Sequence, residues 1–427
     1  MIVEPWSRRA VALLYAAVIA GYPLVSGLPL VLGVDSRVAS VPFRAFVLLY
    51  SIALFVGVSI VHRRAYRGLY WIPFILFWVL YIVRLFLDIV FLPVTLRLTP
   101  AEYFAYSLGM CMITGIVMLM RVDDDTLRLA FRATFGAVVI SCLTALYLNV
   151  AAILSGDLSS LQNMRLQSET LNPVGLGNLG VSLMLLSMFM LLHRLPRSVL
   201  ATLALLALVL IGLATTGMAA SRGPVLAFVL ALPVLVWLGI RRGAWVRALA
   251  LAGAVIVTGI SAAVYIQQTL GFGIISRISS ALDFGSDESS NVRVALYRGA
   301  WDQFVHNPIL GSSLDERIST FHPHNPWIES FMATGFLGGT AFSLLLLAAF
   351  IGALRILRDM PEHGWLPLLF GQYTLHGLLS GALYLSADMW GLMSAMVAIG
   401  FASSRAPATP GSPSAGPPAP LQTQGAQ

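Results

Sequence analysis

Apolar runs of about twenty residues recur along the whole chain, separated by polar breaks rich in Arg, Pro, Gly and Asn. As a helix, a run of that length covers the roughly 30 Å hydrocarbon core of a bilayer. A helix also satisfies its backbone N–H and C=O groups internally, which a membrane interior demands. The runs fall at 10–32, 42–61, 69–91, 101–120, 129–152, 174–193, 198–217, 224–240, 245–267, 326–354, 364–384 and 387–402. They predict an all-α polytopic membrane protein with about twelve transmembrane helices. Residues 1–404 form that transmembrane domain. The Pro/Gly/Ser/Ala-rich stretch 405–427 is expected to be a disordered tail.

Composition agrees with the pattern. The chain is 58% hydrophobic and 11% charged, against about 25% charged in soluble domains. A soluble particle of this composition would lack the polar surface to cover itself. The start of the chain has no small-residue cleavage site and reads as a first span. Cys111 and Cys142 both lie in apolar runs, so neither suggests a disulfide or a metal site.

Every basic residue is Arg, and the arginines orient the spans. Arg8, Arg9, Arg63, Arg64, Arg67, Arg121, Arg128, Arg194, Arg197, Arg241, Arg242, Arg247, Arg355 and Arg358 share one set of loops. By the positive-inside rule that side is cytoplasmic, and an even span count puts both termini there. The outer loops are short except for 153–173 and 268–325. The second, between spans nine and ten, is too short and too poor in core residues for a free-standing domain. It should pack on the spans as short helices.

Arg165, Arg222, Arg277, Arg293, Arg298 and Arg317 all fall on the outer side, where the rule disfavours them. Solvated loop charges or ion pairs would explain any one of them. Arg222 stands out because Ser221 or Gly223 can cap a helix there and Pro224 suits its first turn. A cation at a helix N-terminus opposes the dipole, and an anion between the two would reverse that penalty. Arg293 and Arg298 lie on an amphipathic helix expected to be capped by Ser290 or Asn291. Five positions separate them by about 140°. Arg298 has Asp302 four residues on, a ready salt bridge. Arg293 has no acid within a turn and shares a face with Tyr297 and Trp301, so it is the ligand-facing member. Arg165 is a weaker candidate, and Arg277 and Arg317 have no distinguishing context. Three spans start outside with a cap-plus-Pro signature: Asn172-Pro173, Ser221/Gly223-Pro224 and Asn325-Pro326. Three such N-termini with arginines beside them would make an anion site.

Further titratable residues lie in or near the apolar runs. Arg84 and Asp88, at i and i+4 in the third span, are expected to neutralise each other. His376 is read as a buried, hydrogen-bonded histidine, and Asp388 lies at a short outer turn.

The segment Phe321-His322-Pro323-His324-Asn325-Pro326 joins the long outer loop to span ten. The prolines bias His322 and Asn325 towards extended backbone. Asn325 becomes the N-cap and Pro326 the first helical residue. His324 then sits just outside a helix N-terminus, whose positive end favours the neutral imidazole, the form that takes a proton from a hydroxyl. A loop histidine without a role is the alternative reading.

The segments SRGPVLAFVLALPV, NVRVALYRGAWDQFVHNPILGSS and HNPWIESFMATGFLGGTAF, over about 205–345, resemble the O-antigen ligase/polymerase family of bacterial inner-membrane glycosyltransferases. The shared pattern is an SRG opening of a span, then an Arg-bearing helix ending in Pro308-Ile309-Leu310-Gly311, then a His-Asn pair, an acid and glycines. The chain departs from it after Gly311, where a second glycine is usual and Ser312 stands here. The resemblance implies a periplasm-facing reaction on an undecaprenyl-diphosphate-linked glycan, with lipid A–core or a second lipid-linked glycan as acceptor. It implies His324 as the catalytic base and Arg222 and Arg293 as diphosphate ligands. Arg165 joins the diphosphate ligands as the weaker candidate, and Asn325, Arg298, Glu329 and Asp388 are placed in support. No metal, cofactor or nucleic acid is expected. A ligase, a polymerase of the same family, and a transporter or flippase using the same arginines are the three functions in play.

Overall fold

The computed structural model describes residues 5–34, 37–61, 71–91, 94–154, 173–193, 198–219, 221–270 and 288–402. Helices account for nearly all of them: α1 (Trp6–Val31), α2 (Arg37–Val61), α3 (Trp71–Phe91), α4 (Pro100–Met118), α5 (Asp124–Leu154), α6 (Pro173–His193), α7 (Val199–Ala219), α8 (Arg222–Arg241), α9 (Trp245–Leu270), α10 (Glu288–His306), α11 (Pro326–Asp359), α12 (Trp365–Ser380) and α13 (Ala387–Gly400). Between α10 and α11 a single antiparallel bridge joins Glu316 to Phe321.

Among the described residues, ten helices, α1 to α9 and α11, are long and apolar enough to cross a membrane, and they match the first ten predicted runs. The expected eleventh and twelfth spans are shorter, with 16 residues in α12 and 14 in α13. At 1.5 Å per residue these reach about 24 and 21 Å. The shortening comes from Gly381, where the backbone turns extended (φ −86°, ψ 173°) and ends α12. A non-helical connector, 381–386, then leads into α13.

The centre of the structure is α6, apolar on every side and almost wholly buried, as expected of a helix surrounded by others. It packs on α7 and α8. Small residues bring the backbones together: a Cβ on Gly180 would stand 2.6 Å from the Gly212 carbonyl oxygen. A Cβ on Gly177 would stand 2.8 Å from Pro224 Cγ, so the start of α8 is seated against the start of α6. Around the other side, α11 packs on α3 and α13, and α12 on α8 and α13.

The described part of the long loop between α9 and α11 packs on the spans as helix, through α10, which lies against α11. Its seat is aromatic: Phe304 and Trp327 each meet Phe331, with ring centroids 5.3 and 5.2 Å apart, and Trp301 stacks over Trp327. The expected cap at Ser290 or Asn291 is overturned, because the helix is already formed at Glu288 and both residues lie in its first turn. Cys111 and Cys142 are free and buried. Arg165, Arg277, the Asn172 cap and the tail 405–427 lie outside the described residues.

Candidate functional site

The segment 307–325 has few apolar side chains to hold it, and two charged residues of α3 fix its path. Arg84 and Asp88 pair as expected, at 3.1 Å, and both are buried. Arg84 does more than neutralise. Its Nε donates to the Ala333 carbonyl (3.0 Å), Nη1 also reaches the Ser312 carbonyl (3.1 Å), and Nη2 donates to the carbonyls of Leu310 (2.8 Å) and Gly311 (2.9 Å). All five guanidinium hydrogens thus have acceptors. The second Asp88 oxygen accepts the Leu314 N–H at 2.8 Å. The pair clamps the turn after α10 to the membrane core.

That turn fits into a break in α11. Gly335 leaves helical geometry (φ 67°, ψ −165°), and the Phe336 N–H bonds back to the Pro308 carbonyl at 2.7 Å. Gly311 also has positive φ (72°) and leaves no room for a side chain: a Cβ there would fall 2.4 Å from the Ala333 carbonyl carbon. One glycine in the turn therefore suffices. The next residue, Ser312, donates its N–H to Met332 and gives its carbonyl to Arg84. This is the path taken where the chain departs from the family pattern.

At the far end of the segment, Asn325 is the N-cap of α11. Its Oδ1 accepts the N–H groups of Trp327 (3.0 Å) and Ile328 (3.2 Å), and its backbone is extended (φ −148°, ψ 99°). His324 is forced into the left-handed region, φ 55°. Non-glycine residues held there are uncommon and cluster at functional sites. The twist turns the imidazole towards α12, where Nδ1 lies 3.3 Å from the Ser380 carbonyl oxygen. A carbonyl only accepts, so Nδ1 carries the proton and Nε2 keeps its lone pair.

Arg293 reaches the same residue from α10, donating from Nη2 to Ser380 Oγ at 3.2 Å. Arg222 approaches from a third direction as the first residue of α8, where Ser221 takes the N-cap position without a side-chain bond. A Cβ on Gly223 would stand 4.0 Å from Leu379 Cδ1, one residue from Ser380. The starts of α6, α8 and α11 thus gather around the C-terminal end of α12.

Burial is the main force lowering the His324 pKa, and the charges of Arg293 and Arg97 add to it against the Ser380 hydrogen bond. The neighbouring His322 is more buried, and its pKa is lowered to about 3, by burial first and then by the charges of His324 and Arg97. The two imidazoles meet edge to face, centroids 4.4 Å apart. His322 Nδ1 lies 3.3 Å from the Tyr384 hydroxyl, and Tyr384 packs on Tyr103, which donates to the Asp315 carboxylate. This buried polar row supports the His322–His324 pair from below.

The remaining candidates separate. Glu329 is fully buried and accepts the Leu383 N–H at 2.9 Å, so it holds the connector after Ser380. Asp388 opens α13 and accepts the N–H of Met389 at 2.7 Å. Arg298 is exposed and its expected salt bridge is overturned: Asp302 pairs with His306 at 3.5 Å, and among the described residues no ion pair joins Arg298 to Asp302. The helical spacing allowed either partner, and the imidazole lies closer. Arg317 donates to the Ser312 carbonyl and serves the loop itself. The His376 Nδ1 is buried without a hydrogen-bond partner among the described residues.

Two residues of the site were missed in the sequence. Ser380 is an unremarkable serine at the end of an apolar run. Arg97 lies in the short loop before α4, between two predicted spans, and the same orientation rule that picked out Arg222 could have found it. Its guanidinium sits 3.6 Å above the Phe321 ring, and that ring contacts both His322 and His324.

Residues 207–343 match the family model for O-antigen ligase. Over that stretch, about a third of the chain, the protein is similar to the O-antigen ligase family. The matched stretch runs from within α7 through Arg222, α10 and His324 into α11. Comparison with curated proteins gives no match. Members of this family are glycosyltransferase-like membrane enzymes acting with lipid-linked glycans, and the ten membrane-length helices agree with a multi-pass membrane protein.

Proposed function

We propose that this protein is an O-antigen ligase-like glycosyltransferase of the bacterial inner membrane, with both termini cytoplasmic and its site facing the periplasm. It moves a glycan from undecaprenyl diphosphate to a hydroxyl of lipid A–core. One observation carries the reading: His324 and Arg293, from separate elements, meet on Ser380, and the bond to the Ser380 carbonyl leaves His324 Nε2 free as a base.

In this mechanism Nε2 takes the proton of the acceptor hydroxyl. The oxygen attacks the anomeric carbon from the face opposite the diphosphate. The bond from that carbon to the diphosphate oxygen breaks, and its electron pair leaves with the diphosphate. Inversion follows from a single displacement. Arg222 and Arg293 stabilise the developing charge, with the α8 N-terminus adding partial positive charge. Charge stabilisation of this kind needs no metal. Arg97 extends the positive field, and Asn325, Glu329 and Asp388 hold the frame. Arg298, exposed on α10, stays in a supporting place, and Arg165 stays a proposed diphosphate ligand.

The deciding experiment mixes purified protein with lipid-linked donor and lipid A–core in detergent. The His324→Ala and Arg222→Ala proteins, normally inserted, should form no product. Wild-type rates from either would overturn the assignment, and product from the wild type would exclude a transporter. Polymerisation of donor without acceptor would indicate the polymerase of the same family instead.

A further inference from the structure

A second polar cluster lies at the end of α12 opposite to Ser380. Three aspartates stand at the start of α5, and they have different partners. Asp123 accepts the Thr126 N–H at 2.9 Å and pairs with Arg8 at 2.7 Å. Asp125 pairs with Arg8 at 3.2 Å and with Arg128 at 3.6 Å. Asp124 instead points Oδ1 at His363 Nε2, 3.3 Å away, while its Oδ2 stays 4.0 Å from Arg128. His363 closes a single 3₁₀ turn, Pro361–His363, between α11 and α12. Its side chain is only 1% exposed, and among the described residues its ring makes no hydrogen bond except to Asp124. Glu362 completes the cluster: one ligand atom each from Asp124, Glu362 and His363 lie within 4.8 Å of one another.

The distances favour a shared ion over a simple ion pair. A charged N–H···O hydrogen bond closes to about 2.7–2.9 Å, and 3.3 Å is longer than that. Two ligands each about 2.0–2.1 Å from one cation stand roughly 3.0–3.4 Å apart. The imidazole is fixed by burial, whereas Asp124 and Glu362 are partly exposed and can rotate to close the set. The mixture of donors selects the ion. Imidazole with carboxylates suits a borderline divalent cation such as Zn²⁺. Mg²⁺ and Ca²⁺ are held by oxygen ligands, so a buried nitrogen at the centre disfavours them.

We propose that Asp124, Glu362 and His363 bind a divalent cation of the Zn²⁺ class. The ion ties the start of α5 to the turn that joins α11 and α12. Those two helices reach the other site with their far ends: α11 starts beside His324, and α12 ends at Ser380. The 16 residues of α12 separate the two sites by about 24 Å at 1.5 Å per residue. The cation therefore braces the helices that carry His324 and Ser380 and takes no part in the transfer chemistry. This site stands independently of the glycosyltransferase reading.

The test uses the full-length protein in detergent, carrying no polyhistidine tag and stripped with a chelator. It is titrated with ZnCl₂ while bound metal per chain and Tm are read. The wild type should take up one tight equivalent of Zn²⁺ and gain Tm, and MgCl₂ at the same concentration should do neither. Changing a group beyond the ligands commonly costs a metal site 10–100-fold in affinity, so losing a ligand should cost at least about tenfold. His363→Ala should show that loss. Asp124→Asn and Glu362→Gln should show it too, and they keep the buried imidazole and the side-chain volumes, so they carry the test if His363→Ala fails to fold. The control is Asp302→Asn, because Asp302 and His306 form another such pair at 3.5 Å, exposed on α10 and among the described residues without a third ligand. It should leave the Zn²⁺ equivalent and the Tm gain unchanged. No tight equivalent in the wild type, equal uptake of Mg²⁺, or undiminished Zn²⁺ affinity in both Asp124→Asn and Glu362→Gln would overturn the site and leave His363 and Asp124 as a hydrogen-bonded pair only.

Discussion

Arg293 and His324 come from different elements and share one partner: the guanidinium bonds the Ser380 hydroxyl at 3.2 Å, and the imidazole bonds the Ser380 carbonyl at 3.3 Å. One residue at the end of α12 therefore sets the spacing between the proposed base and a proposed diphosphate ligand. The two contacts use different atoms of Ser380 and can be separated by substitution.

Ser380→Ala removes the hydroxyl and keeps the carbonyl. Arg293 loses its anchor while the His324 tautomer is retained. A hydrogen bond to a charged group is worth about 1.5–3 kcal/mol, so kcat/KM for glycan transfer should fall about ten- to hundredfold. The pH dependence of the rate should keep its wild-type form. A Ser380→Ala protein as active as the wild type would show that Arg293 is positioned without it.

Arg84 is expected to matter for folding. Arg84→Leu would strand buried Asp88 and four carbonyls, and breaking a buried pair from one side costs about 3–5 kcal/mol. Arg84→Lys should rescue little, because an ammonium cannot reproduce the planar fork. Thermal unfolding in detergent should show a marked drop in Tm for both. In contrast, His324→Ala should abolish transfer and leave Tm near the wild type.

Gly335 occupies backbone geometry open essentially to glycine alone, and a Cβ there would lie 2.2 Å from the Ile309 carbonyl oxygen. Gly335→Ala should destabilise the protein by at least about 1–3 kcal/mol from backbone strain, with the clash added. The measured quantity is again Tm, and an unchanged value would mean that the turn can move away from α11.

The histidine pair gives the pH dependence a definite sign. His324 acts as a base when neutral, and its pKa is lowered. The acid limb of the rate profile should therefore lie below the ordinary imidazole value of about 6.5. His322 is held neutral in the fold down to about pH 3, whereas the unfolded chain takes up that proton near 6.5. Between those values the unfolded state binds more protons, so stability falls as pH falls. His322→Asn should flatten that slope of Tm against pH.

Much of this protein was legible because it is local. Apolar run length marked the ten long helices, i to i+4 spacing paired Arg84 with Asp88, and cap chemistry placed Asn325 at the head of α11. Sidedness of charge picked out Arg222 and Arg293, and a proline-bounded motif picked out His324. Each of these signals lies within one turn or one span. Ser380, Arg97 and the carbonyl cage around Arg84 were decided by the tertiary structure, because their partners lie far away in the chain. The same spacing that offered Arg298 to Asp302 also offered His306, and only packing chose between them. A sequence sets which groups a helix can present; which of them meet depends on how the helices stack, and here α12 ends where the starts of α6, α8 and α11 converge.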